Sequence, residues 1–177
     1  MQGERTKSIF VLLTAHSDLG SRLMRLFTLE KYNHASIGIE DGPGHFFSFV
    51  TKGFYLERPL KSKKVKKRAR KCELYCLDVT EETYEAVKNR LGEFELCAKQ
   101  YSYSSLGLML CIFRIPYQRE NRYFCSQFVS ELLTLTGAAR LKKQPPLYLP
   151  DDFRKEPGLK LFYQGTLGEL SELAGAI

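Results

Sequence analysis

The segment His34-Ala-Ser-Ile-Gly-Ile-Glu40 alternates strictly, with Ala35, Ile37 and Ile39 on one side and His34, Ser36, Gly38 and Glu40 on the other. A two-residue period is that of a strand packed on one face only. Asp41-Gly-Pro-Gly44 follows, a turn by composition, and then the aromatic, β-prone run His45 to Val50. Residues 34 to 50 therefore predict a β-hairpin, which commits the chain to an antiparallel sheet whose apolar face needs a covering layer.

Helices supply that layer. Ser8 to Thr14, rich in Ile, Phe, Val and Leu, reads as a buried first strand, and Leu19, Leu23, Leu26 and Phe27 mark an amphipathic helix over residues 19 to 29, capped by Ser17 or Asp18. Cys72 to Val79 is a further strand. Thr80-Glu-Glu then opens a helix reaching about Ala98, with Thr80 as cap and acids in its first turn. Leu106 to Ile115 predicts a largely buried helix ended by Pro116. Phe124, Phe128, Leu132 and Leu135 stand at i, i+4, i+8 and i+11, with Gly137 where a helix C-cap belongs. A loop over Gln144 to Asp152, a strand over Leu159 to Tyr163 and a helix from Thr166 complete one α+β domain over residues 1–177, an antiparallel sheet packed against helices, without internal repeats.

A hydrophobic fraction of 44% is that of a folded chain. The net charge of +7 is local, because Lys61 to Lys71 carries eight of the 27 basic residues and no acid, leaving 19 basic against 20 acidic elsewhere. Such a segment draws in phosphate, anionic lipid or nucleic acid, or is simply a solvated loop. Without interleaved aromatics or a nucleic-acid motif, nucleic acid is not the expected partner. Five cysteines, Cys72, Cys76, Cys97, Cys111 and Cys125, lack the dense spacing of a secreted disulfide framework and read as reduced thiols. Cys72 and Cys76 share a strand face but have no further ligands at metal-binding spacing, so no metal or cofactor is expected. The apolar run Ile9 to Leu13 is too short for a signal peptide, and no stretch approaches the length of a membrane span. A soluble cytoplasmic protein is expected.

Cys125 falls in the first turn of a buried helix, where unpaired N–H groups and the helix dipole favour thiolate over thiol. A nearby imidazole completes the activation of such a nucleophile and can later protonate a leaving group. His34 is the candidate, on a strand face whose Ser36 and Gly38 leave room for a helix end and a substrate. On local pattern alone, Cys125 reads sooner as a small buried hydrophobe and His34 as a strand-end histidine bonded to backbone. His16, after the first strand, is a lesser candidate, and Tyr101 and Tyr103 read as core.

Tyr32-Asn-His34-Ala-Ser-Ile-Gly-Ile, followed downstream by Tyr123-Phe-Cys125-Ser-Gln-Phe-Val-Ser-Glu-Leu-Leu133, resembles the permuted branch of the NlpC-type papain-like hydrolases, which includes YiiX-like proteins and relatives of lecithin retinol acyltransferase. In that branch the histidine strand precedes the cysteine helix, as here. Ser48-Phe-Val, Lys52-Gly-Phe, Tyr101-Ser-Tyr and Tyr163-Gln-Gly-Thr-Leu extend the resemblance over most of the chain. It implies a circularly permuted papain-like fold, Cys125 as nucleophile, His34 as general base and the Cys125 N–H as an oxyanion donor.

The family's third member, a polar residue on the strand after the histidine, depends here on hairpin register. If Glu40 pairs with His45, odd-numbered residues share the face of His34 and His45 is the candidate. A register shifted by one makes it Ser48, which is slightly favoured. The resemblance implies a thiol-dependent amidase or peptidase acting on a peptide, cell-wall-like fragment or other small molecule. An acyltransferase or lipid deacylase is the enzymatic alternative, and a non-catalytic domain holding an anionic partner at Lys61 to Lys71 is the alternative of another class.

Overall fold

A computed structural model describes residues 6–16, 31–40 and 44–175. The helix expected over residues 19 to 29, with its caps Ser17 and Asp18, lies outside the described residues. The described chain is mixed α+β, built on a six-stranded antiparallel sheet in the order β4-β3-β2-β1-β5-β8. These strands are β1 (Thr6–Thr14), β2 (His34–Ile39), β3 (Phe46–Val50), β4 (Gly53–Glu57), β5 (Lys71–Thr80) and β8 (Lys160–Thr166). A short parallel pair, β6 (Ser102–Tyr103) and β7 (Arg122–Tyr123), stands apart. The helices are α1 (Val65–Arg68), α2 (Glu81–Leu96), α3 (Ser105–Ile112), α4 (Cys125–Leu135) and α5 (Leu167–Gly175).

Alternation along the strands divides the apolar residues between two faces. Ile9, Val11 and Leu13 of β1, Ala35 and Ile37 of β2, and Phe47 and Phe49 of β3 form the larger core. It is covered by Tyr84, Val87, Leu91 and Phe94 of α2 and by Phe128, Val129, Leu132 and Leu133 of α4. Leu12, Phe46, Cys72 and Leu74 point the other way, onto Leu167 and Leu170 of α5. Phe49, fully buried, has the rings of Phe54, Phe94, Tyr101, Tyr123 and Phe128 within 5.0–6.2 Å, so one strand residue ties the hairpin to both covering helices.

The expected caps are present: the Thr80 hydroxyl accepts from the Thr83 N–H at 3.3 Å, and Gly137 adopts φ +71° just after α4. The apolar stretch 106 to 115 departs from expectation. Only Gly107 and Cys111 of α3 are buried, Leu106 and Met109 are about half exposed, and Phe113 and Ile115 are exposed. Residues 106 to 113 are apolar throughout, and such a run carries no period to show how much of its surface is covered. This helix touches its neighbours through one narrow stripe, and it ends at Ile112, where Arg114 turns at φ 60°, before Pro116 is reached.

The strand β4 had no counterpart in the sequence reading. It follows β3 through the two residues Thr51-Lys52, with Val50 opposite Gly53. Gly53 holds φ +99°, and a Cβ there would stand 2.7 Å from the Tyr101 carbonyl oxygen. Both the backbone angle and the close approach call for glycine. Gly53→Ala is expected to destabilise the protein by about 1–3 kcal/mol, read as a lowered urea midpoint. An unchanged midpoint would mean that the β3–β4 turn yields freely.

Candidate active site

Cys125 is the first residue of α4 and His34 the first of β2, and both are buried. Each is held by polar contacts made just beside it. The Asp151 carboxylate accepts from the N–H groups of Lys31 at 2.7 Å and Tyr32 at 3.0 Å, fixing the backbone that leads into β2. The Asn33 side chain makes a two-point contact with the main chain of His16, accepting its N–H at 2.7 Å and donating to its carbonyl at 2.9 Å. At the helix, the Ser126 hydroxyl donates to the Tyr148 carbonyl at 2.7 Å, anchoring the first turn of α4. Behind them Glu73, buried on β5, collects Lys31, Arg154, Gln164 and Tyr75 at 2.7–2.9 Å.

The His34 Nε2 is 2.6 Å from Oε1 of Glu57, the last residue of β4. The imidazole and the Cys125 thiol lie close enough for each to favour the charged form of the other. The backbone N–H groups of Ala35 and Ser126 also favour the thiolate form of Cys125. A thiol, an imidazole and a carboxylate are thus brought together from a helix start and two strands.

Electrostatics favour the charged forms. Burial is the largest influence on Cys125 and by itself raises a thiol pKa. The hydrogen bond and charge of His34, with the Ala35 and Ser126 N–H donors, outweigh it and bring the thiol below its ordinary range. Burial likewise opposes the imidazolium, but Glu57 and the Cys125 sulfur prevail, and the His34 pKa rises to about 10. Glu57, against its own burial, is held low by His34, with smaller contributions from His16 and Arg70. Cys72 shows what burial does without such partners: its thiol is pushed up to about 12, burial leading and Glu169 and Glu73 adding to it. None of the five cysteines forms a disulfide, and of Cys72, Cys76 and Cys125 only the last has its pKa lowered, by its imidazole partner.

The third position needs correction on the geometry. Ile37 pairs with Phe47, so even-numbered residues of β3 share the face of His34, the register that favoured Ser48. The Ser48 hydroxyl, however, donates to the Ala35 carbonyl at 2.7 Å and does not hold the ring of His34. His45 precedes β3 and lines a different, apolar cavity of about 710 Å³ with Phe10, Gly38, Phe46 and Leu74. The group on the imidazole comes from β4: Glu57 stands opposite Phe46 and so shares the same sheet face. The alternation Phe54-Tyr-Leu-Glu57 after Gly53 is the signal for this strand, and at five residues it is too short to stand out.

His16 lies closer to the site than expected. Its ring centroid is 4.7 Å from that of His34, and Arg70 Nη1 is 3.5 Å from its Nε2. Both line a cleft of about 630 Å³ that also takes in Thr14, Glu57, Arg58, Lys61 and Lys67. Tyr101 belongs to the aromatic core around Phe49. Among the described residues no group of three or more His, Cys, Asp and Glu side chains is arranged to hold a metal ion, and no helix is long and apolar enough to cross a membrane. Neither a family model nor a curated protein sequence matches the chain.

Glu57→Gln keeps a hydrogen-bonding group on His34 but removes its charge. The imidazolium is then less favoured and the His34 pKa falls from about 10, while that of Cys125 rises. Cys125 alkylation followed against pH is expected to set in at higher pH, with its rate near neutral pH down by about 10–100-fold. A profile identical to wild type would mean that Glu57 is a bystander.

Proposed function

We propose that this chain is a thiol hydrolase of the permuted NlpC-type papain-like class, cleaving an amide bond through an acyl-enzyme on Cys125. The reading rests on one observation: a buried thiol at a helix start shares its surroundings with an imidazole whose Nε2 lies 2.6 Å from a carboxylate. Burial alone produces the opposite shift, so the low thiol comes from its partners. The antiparallel sheet, with the histidine strand ahead of the cysteine helix, agrees with the permuted arrangement.

In this mechanism the Cys125 thiolate attacks the carbonyl carbon, and the oxyanion forms at the start of α4, where the Cys125 N–H donates to it. As the tetrahedral intermediate collapses, the carbon–nitrogen bond breaks and His34 gives its proton to the departing amine. The neutral imidazole then takes a proton from water, hydroxide adds to the thioester, and the carboxylic acid leaves as the thiolate–imidazolium pair re-forms. Glu57 keeps the ring oriented and its charge favoured throughout.

Incubation with an activated acyl ester, followed by peptide mass spectrometry, tests the reading. The expected result is a transient acyl adduct confined to Cys125, accumulating when deacylation is slow and absent from Cys125→Ser. Acylation spread evenly over the five cysteines would rule out an activated nucleophile.

A further inference from the structure

The basic run does not present its charges evenly. Of its eight cations, Lys61, Lys67 and Arg70 line the cleft that reaches His16 and Glu57, and Arg58, just outside the run, joins them. Lys63, Lys64 and Lys66 are exposed but do not line it, and Arg68 is turned toward Glu172 of α5, 2.6 Å away. Among the described residues, Arg58, Lys61 and Lys67 make no ion pair within 4.0 Å, and Glu57 is the one acid in the lining, its charge committed to His34. The Arg70 Nε is buried without a hydrogen-bond partner. Four cations on the wall of one cavity, opposed by one already paired carboxylate, form a concave field that attracts and orients an anion.

We infer that this cleft binds an anionic group, a phosphate or a carboxylate, carried by the substrate of the hydrolase, an assignment that rests on the catalytic reading above. Arg58 and the Pro59–Lys61 turn follow Glu57 directly, so the backbone that delivers the acid to His34 also delivers the anion contacts. A remote charge held there positions the scissile carbonyl relative to Cys125, and binding energy from that end of the substrate becomes orientation at the other. The substrate class is thereby narrowed to anionic amides.

Calorimetric titration with inorganic pyrophosphate and with citrate tests the assignment. Three proteins are compared: wild type, the cleft variant R58Q/K61Q/K67Q and the charge-matched control K63Q/K64Q/K66Q. All six positions are exposed, so both variants keep the fold. Wild type is expected to bind, the cleft variant to lose at least about tenfold in affinity, and the control to stay within about twofold. Preference for pyrophosphate or for citrate tells a phosphate from a carboxylate ligand. Equal losses in both variants, or no binding by wild type, would overturn the assignment.

The ratio of iodoacetate to iodoacetamide rates at Cys125 links the cleft to the catalytic reading. The anionic reagent is expected to lose its advantage in the cleft variant and keep it in the control; an unchanged ratio would disconnect the cleft from the thiol. If Cys125 is inert to both reagents while only the cleft variant loses pyrophosphate, the catalytic reading fails and the anion site stands.

Discussion

His34→Ala is expected to abolish the selective reactivity of Cys125. In the wild type, alkylation sets in once pH passes the lowered thiol pKa, and the thiolate–imidazolium pair that acyl transfer uses persists until His34 loses its proton near 10. Without the imidazolium, burial, the largest influence on this thiol, is opposed only by the Ala35 and Ser126 N–H groups. The pKa of Cys125 then moves upward, toward the behaviour of Cys72, which burial holds near 12. The midpoint of Cys125 alkylation, followed by mass spectrometry with the other four cysteines as internal references, should move to higher pH in the variant. Turnover of an acyl substrate should fall by about 10²–10⁴-fold, the contribution typical of a positioned general acid–base. An unaltered profile would exclude His34 as the partner, and with it the proposed mechanism.

Phe49→Ala should be the most damaging single truncation for stability. The ring is fully buried and touches five other aromatic rings supplied by β4, α2, the segment at Tyr101, β7 and α4. Removing it leaves a cavity that rigid neighbouring rings fill poorly, at a cost of about 3–5 kcal/mol. Denaturant unfolding measures that cost directly. Because Phe49 joins β3 to α4, Cys125 alkylation in the folded variant should also lose part of its advantage. A destabilisation under about 1 kcal/mol would show that the cluster repacks around the gap.

Much of this was legible in the residues. The alternation from His34 to Glu40 fixed a strand, the spacing from Phe124 to Leu135 fixed a helix, and Cys125 at its first turn followed. What was not legible depended on long-range placement. The partner of His34 required β4, a five-residue strand whose pattern is too short to stand out. The exposure of α3 could not be read from a run that is apolar throughout. The roles of Asn33 and Asp151 in setting the backbone beside His16 and His34 have no sequence signature, because their bonds go to main-chain groups that any residue supplies. The basic run was visible as a block, but not the division of its cations between cleft and open surface.

The three groups of the candidate triad come from β2, β4 and α4, elements far apart along the chain. Nothing in the immediate neighbours of Cys125 supplies a cation, so in the extended polypeptide this sulfur is an ordinary thiol. Its nucleophilicity is a property of tertiary structure, created when the strand carrying His34 meets the helix and withdrawn when they part. A chain still being synthesised, or one that has begun to melt, therefore carries no reactive sulfur at this position. In the proposed mechanism the chemistry is armed by folding itself.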